Sequence, residues 1–212
     1  MRILAWFGIV APVVRLSLIA VLGYLQPGYS QSRDFISELG AADAPYAWVM
    51  NSLGIAVVGL LLFGFGYALW RALKPGKLIS LGAVALSVSG LSFVAVGIFP
   101  CDAGCSMEAP SQTMRLHLLA GTSAMFMETF APLLIGAGLL MAKKYLGYAL
   151  VSIFFGSVAI MALGVLFSQN SSFEFPGSLQ KTFQTSTDVW VFLSAMVVLR
   201  VLTKGHNKEL RS

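Results

Sequence analysis

The sequence predicts an all-α, polytopic transmembrane bundle of six spans, with a short outward interfacial helix near residues 32–40. Three observations predict it. Hydrophobic residues make up 57% of the 212-residue chain and charged residues 11%, whereas soluble domains are roughly 25% charged. So few charges cannot cover a water-facing surface. The apolar residues fall in runs of about 20, the length that crosses a hydrocarbon core of roughly 30 Å. The connectors between them are short and built of turn formers. Runs of this length exclude a membrane β-barrel, whose strands need about ten residues. No polar stretch is long enough for a second unit, so residues 1–212 read as a single integral membrane domain.

The elements follow in order. Span one covers about 3–25. Arg15 interrupts its apolar core and "GYLQPGYSQ" offers no A-x-A-like cleavage site, so it reads as a retained helix, not a signal peptide. From Ser32 to Gly40 the pattern suits a short helix, capped by Ser30 or Ser32 and stopped by Gly40 in the left-handed conformation. Phe35, Ile36 and Leu39 give it an apolar edge, as for a helix lying at a membrane interface. "AADAP" restarts a helix, with Asp43 as its cap and Pro45 in the first turn. Span two then covers about 45–70, span three 78–99, span four 114–141, span five 145–168 and span six 184–202.

The distribution of basic residues orients the chain. Arg2, Arg71, Lys74, Lys77, Lys143, Lys144, Arg200, Lys204, Lys208 and Arg211 share one side of a six-span protein. The opposite side carries Asp34, Glu38, Asp43, Asp102, Glu108 and Glu174 against only Arg33, Arg115 and Lys181. Excess Lys and Arg mark the cytoplasmic side. The expectation is a cytoplasmic (inner) membrane location with both termini cytoplasmic. Membrane lipids account for the basic patches, so the net charge of +5 implies no nucleic-acid partner. A membrane-protein partner or a homo-oligomer is compatible with the same features.

Cys101 and Cys105 flank Asp-Ala-Gly on the outward side, where an oxidising compartment permits a structural disulfide. Free thiols are the alternative. Redox catalysis is disfavoured, because the common motif is C-x-x-C and no base flanks either thiol. Two cysteines and His117 are too few for a zinc site. His206 lies on the opposite side from His117, which excludes paired-histidine haem ligation. No metal and no cofactor is expected. "NSS" at Asn170 matches a glycosylation sequon.

Charges placed in hydrocarbon are costly and face the bundle interior or a water-filled cavity. Arg15 lies about 18 Å into span one at 1.5 Å per residue, beside the small residues Gly8 and Ala11. In span four, His117 and Glu128 are eleven residues apart, about three full turns, and so share a face. Glu128 matches Arg15 in depth. In span six Lys181, Gln184 and Asp188 form a polar stripe entering from the outer side, and Asn51 sits at a similarly shallow depth in span two. Asn51, His117, Asp188 and Arg15 are expected around one outward cavity.

"FISELGAADAPYAWVMN", followed by "GIFPCDAGC" and a histidine early in the next span, resembles the domain of unknown function 998 family, a group of prokaryotic integral membrane proteins without an assigned activity. The resemblance implies a multi-span architecture and draws attention to Ser37, Glu38, Gly40, Pro45, Asn51 and His117. It implies no reaction. Whether the chain is an enzyme stays open.

The leading functional expectation is a binding or accessory protein. It would hold a lipid or other small amphipathic ligand in an outward intramembrane cavity formed by Arg15, Ser37, Glu38, Asn51, His117, Glu128 and Asp188. A lipid hydrolase using Ser37, His117 and Asp188 as nucleophile, base and orienter is a second reading. Proton or ion transport along His117 and Glu128 is a third, disfavoured by the few polar groups in the cytoplasmic half.

Overall fold

A computed structural model describes residues 1–73, 76–168 and 175–209, with the side chains of 205–209 left aside. The sequon at Asn170, Glu174, Lys74, Arg211 and the side chains of His206 and Lys208 lie outside the described residues. Six long helices account for most of the chain: α1 (Arg2–Leu25), α2 (Ala47–Leu73), α3 (Lys77–Ile98), α4 (Gln112–Met141), α5 (Leu146–Ser168) and α6 (Pro176–Glu209). No strand occurs among the described residues. Each helix is long and apolar enough to cross a membrane, with mean hydropathies from 1.5 to 2.5. The protein is a multi-pass membrane bundle.

Five spans begin and end close to the predicted bounds, but α6 starts at Pro176, eight residues before the predicted 184. Its first turns, "PGSLQKTF", are too polar to register as membrane. They are helical because their polar groups find partners within the protein, which is the condition for polar residues in a span.

Each helix packs against its neighbour in sequence, and α6 closes the ring against α1. Lipid is as apolar as leucine, so close backbone approach does much of the work of association. At the α2–α3 crossing a Cβ on Gly59 would stand 2.5 Å from the Gly90 carbonyl, and one on Gly90 would stand 2.5 Å from the Gly59 carbonyl. Neither position admits a side chain. Towards the chain termini, in the proximal half, Leu62, Phe65, Leu69, Leu86, Ile135 and Leu139 are fully buried in one apolar core.

The opposite, distal end is built differently. The predicted helix over 32–40 is a 3-10 helix of five residues, Ile36–Gly40. Neither Ser30 nor Ser32 caps it. The Glu38 carboxylate accepts from the Phe35 amide at 2.8 Å instead, and Ser30 belongs to the preceding turn, where its amide donates to Asp34 at 2.7 Å. Gly40 is not left-handed: Gly28 and Gly104 are the described glycines with positive φ. Gly40 is needed for close approach, since a Cβ there would stand 2.3 Å from the Asn51 side-chain oxygen. Asp43 does not cap α2 either. It reaches across to accept from the Gly104 amide at 2.9 Å, and α2 begins at Ala47. Near its start α2 widens into a π-helical stretch, Met50–Val57, a distortion that often accompanies functional sites.

Candidate functional site

The polar stripe of α6 organises the distal half. Gln180, Gln184 and Asp188 recur every four residues and therefore lie on one face. Because α6 starts early, Asp188 lies twelve residues into it, about 18 Å deep. That corrects the shallow position expected from a span beginning at 184. It brings Asp188 level with Arg15.

Arg15 is the centre of a buried ion cluster. Its Nε donates to both Asp188 carboxylate oxygens at 3.1 Å, and its Nη2 donates to Asp188 Oδ1 at 2.5 Å and to Glu128 Oε1 at 2.7 Å. Oriented with its amide oxygen towards the guanidinium, the arrangement that satisfies both groups, Gln184 accepts from Nη2 at 2.7 Å and Nε at 3.2 Å. Phe93 places its ring 4.8 Å from the guanidinium carbon, a cation–π contact favoured where water is excluded. Arg15 is 3% exposed, and Glu128 and Asp188 are 0% exposed. Burying charge is tolerable only with pairing of this completeness. One atom stands apart: Nη1 of Arg15 has no hydrogen-bond partner among the described residues.

Pro132 follows Glu128 by one turn and has no N–H to give to the Glu128 carbonyl. Thr129 returns its hydroxyl to the Met125 carbonyl at 2.9 Å. The α4 backbone is thus irregular where it carries its charge.

The 3-10 helix forms a roof over this cluster and is tied down on several sides. Its Ile36 amide donates to Gln180 at 2.6 Å, and Lys181 donates to the Asp34 carbonyl at 2.8 Å. The amides of Gly177 and Ser178, at the start of α6, donate to the carbonyls of Arg33 (3.1 Å) and Ser32 (2.8 Å). Asn51 donates to the Gly40 carbonyl at 2.8 Å. Leu39 and Ile36 are buried beneath the roof. The Cys101–Cys105 disulfide lies beside it, with Gly104 at φ 59° in the loop it closes, and the Ala42 amide donates to the Cys101 carbonyl at 3.1 Å.

Charges on this loop respond to their setting. Burial raises the Glu38 carboxyl above its ordinary value, opposed by the Phe35 amide and helped by the nearby Asp34 charge. Burial also works on Asp34, but the Arg33 guanidinium and the Ser30 amide outweigh it and hold that carboxyl low. Asp102 is lowered by the Ser111 hydroxyl and amide, which donate to it at 2.6 and 2.9 Å. Ser111 in turn caps α4 by accepting from the Met114 amide at 3.1 Å.

Between roof and ion cluster runs a cavity of about 340 Å³, bounded by Arg15 at one end and the disulfide at the other. Its walls are mostly apolar, with Phe93, Val96 and Met125 among them. Ser37 and His117 also line it. The His117 Nδ1 lies 2.9 Å from the Phe99 carbonyl, and because a carbonyl only accepts, Nδ1 carries the proton. In the unprotonated ring Nε2 is then the acceptor. Leu118 and Phe167 line the cavity while being exposed on the outside of the bundle, so the wall there meets lipid. A wider hollow of about 810 Å³ between α1 and α6 touches Tyr29 and Lys181 but does not include Arg15.

The residues singled out from sequence therefore divide. Arg15, Ser37 and His117 line the cavity. Glu128 and Asp188 stand behind Arg15 and hold it. Asn51 and Glu38 secure the roof and do not line the cavity. No hydrogen bond joins Ser37, His117 and Asp188 among the described residues, since Asp188 is taken by Arg15 and His117 by Phe99. Gln180 and Phe93 were missed. The four-residue spacing of Gln180, Gln184 and Asp188 is the signal that could have found the first. The proximal half also holds a polar network not expected there: Tyr148 donates to Ser194 at 2.6 Å and Trp190 to Ser152 at 3.0 Å, with both serines bonded onward to backbone carbonyls.

The fold and this polar core define a multi-pass helical membrane protein with a charge cluster beneath a roofed cavity. Among known proteins, the family model described as "Protein of unknown function (DUF998)" matches residues 9–197, and the chain belongs to that family. No curated protein and no solved structure matches it.

Proposed function

We propose that the protein binds a small amphipathic molecule in the cavity between Arg15 and the Ile36–Gly40 roof, as a binding or accessory protein of the membrane. The observation that carries this reading is the unpartnered Nη1 of a 3%-exposed arginine at the end of an apolar cavity of about 340 Å³. Ligand pockets span roughly 300–1,000 Å³ and combine apolar walls with a few placed polar groups. Leu118 and Phe167 offer a route from the lipid phase. On this reading the cavity opens towards the outer side, as the charge asymmetry of the loops supports.

The binding reading is preferred to hydrolysis because no hydrogen bond joins Ser37 to His117 among the described residues, and Asp188, which would orient the base, is held by Arg15. It is preferred to transport because Leu62, Phe65, Leu69 and Ile135 close the proximal half.

The test uses Gly121, which lines the cavity. A Cβ there meets only Val96, at 3.9 Å, so a larger side chain projects into open space. Protein extracted directly into lipid nanodiscs is digested with organic solvent, and released molecules are compared by mass spectrometry between the wild type and Gly121→Leu. A species reduced at least about fivefold in the variant, with unchanged thermal stability, supports the proposal. Identical extracts from the two proteins contradict it.

A further inference from the structure

From the charge balance at the cavity floor we infer that the bound molecule carries an uncharged hydrogen-bond-accepting head, such as a hydroxyl or carbonyl, which meets Arg15 Nη1. This rests on the cavity reading above and narrows its chemistry. An arginine in an apolar pocket suggests at first an anionic partner, a phosphate or carboxylate. Here its charge is already spent. Arg15 contributes one positive charge, and Glu128 and Asp188 contribute up to two negative ones, all within hydrogen-bond contact. The cluster sums to minus one with both carboxylates ionised and to zero if one of them holds a proton. Neither state is positive.

The other groups facing the cavity do not change the sum. His117 donates from Nδ1 to the Phe99 carbonyl, and its unprotonated ring adds no charge. Gln180 and Gln184 are uncharged, and Lys181 lines the separate outer hollow with its ammonium on the Asp34 carbonyl. An anion at Nη1 would therefore lie near two carboxylates in a medium that screens poorly. A cationic head fares no better. The carboxylates are 0% exposed and turned towards Arg15, so what the floor presents is guanidinium N–H. An ammonium has no lone pair to accept it. A neutral acceptor satisfies the open Nη1 donor of Arg15 without adding charge. Head at the floor and apolar body along Phe93, Val96 and Met125 is the orientation this requires.

Three probes share one isoprenoid tail: farnesol, farnesyl phosphate and farnesylamine. Each is titrated into purified protein in nanodiscs of neutral lipid. Binding is read by displacement of a tritiated farnesol tracer, for the wild type and for Gly121→Leu. The inference expects farnesol to bind at least tenfold more tightly than either charged probe, and Gly121→Leu to abolish saturable binding. Farnesyl phosphate or farnesylamine equal to or tighter than farnesol, with all binding lost in Gly121→Leu, overturns the uncharged head and leaves the cavity reading standing. Binding that is the same in the wild type and Gly121→Leu, or absent from both, overturns the inference together with the cavity reading. Gly121→Leu leaves the ion cluster intact, so its effect does not depend on the stability of an Arg15 variant.

Discussion

The proximal and distal halves hold the same six helices together by different means. In the proximal half large apolar side chains interdigitate around Leu62, Phe65, Leu69 and Leu139. Polar groups there, such as Tyr148, Ser152, Trp190 and Ser194, are bonded to one another or to backbone. The distal half is joined through an arginine shared by two carboxylates, a loop pinned by five side-chain or amide contacts, and a disulfide. It also keeps a hollow open. Filling a space with leucine leaves nothing to bind. Holding walls apart with directional bonds leaves a cavity with polar groups such as Arg15, Ser37 and His117 on its lining.

That contrast can be broken first at Arg15. Arg15→Leu leaves Glu128 and Asp188 buried without a cation, a loss of about 3–5 kcal/mol. The expected outcome is a lowered melting temperature in dodecyl maltoside, with faster amide exchange in the distal ends of α1, α4 and α6. Removing single carboxylates ranks the contacts: Asp188→Asn should destabilise more than Glu128→Gln, because Asp188 receives three of the four hydrogen bonds from Arg15 to carboxylates. Equal effects from the two would show that charge, not geometry, governs the cluster.

Leu69→Ala strikes the other half. Truncating a fully buried leucine costs about 3 kcal/mol, and exchange should quicken near Leu69 while the roof stays protected. Equal loosening of both halves would dissolve the distinction. Asn51→Ala comes next. It strips the Gly40 carbonyl of its buried donor, about 1–2 kcal/mol, and should free residues 36–40 without changing the proximal half.

The smallest expected effect is that of pH on the distal loop. Asp102 and Asp34 lie below their ordinary values in the folded protein. Their contribution is complete above the unfolded aspartate value of about 3.9 and is lost as pH falls through the lower folded values. Glu38 runs the other way: its folded value is raised, so protonation strengthens the fold as pH falls towards about 4.3. Exchange protection at residues 36–40 should rise slightly in mild acid and fall below about pH 4. Asp102→Asn should blunt the acidic loss.

The parts of this fold that were legible in the sequence are those set by composition along one helix. Apolar runs located the spans, and a depth count matched Arg15 to Glu128. What escaped depended on contacts between segments. The polar start of α6 looked extramembranous because its partners, the carbonyls of residues 32–34, are more than 140 residues away in sequence. Asp43, Gly40 and the serines before them matched local capping patterns. Their actual partners were Gly104, Asn51 and one another. Local propensity is a weak prior wherever a distant donor or acceptor competes for the same group.

The Arg15–Asp188 contact also dictates a timetable for biosynthesis. Its partners are separated by 173 residues, which at 5–20 residues per second is roughly 10–35 s of translation. For the first 113 residues of that interval α1 holds an arginine in the bilayer with neither counter-charge in place, at a cost of order 2.5–3.5 kcal/mol on insertion scales. Glu128 arrives first and neutralises it in part; Asp188 completes the set only when α6 is threaded in. Nascent chains halted before α6 thus hold an arginine within the membrane that lacks three of its four hydrogen bonds to carboxylates.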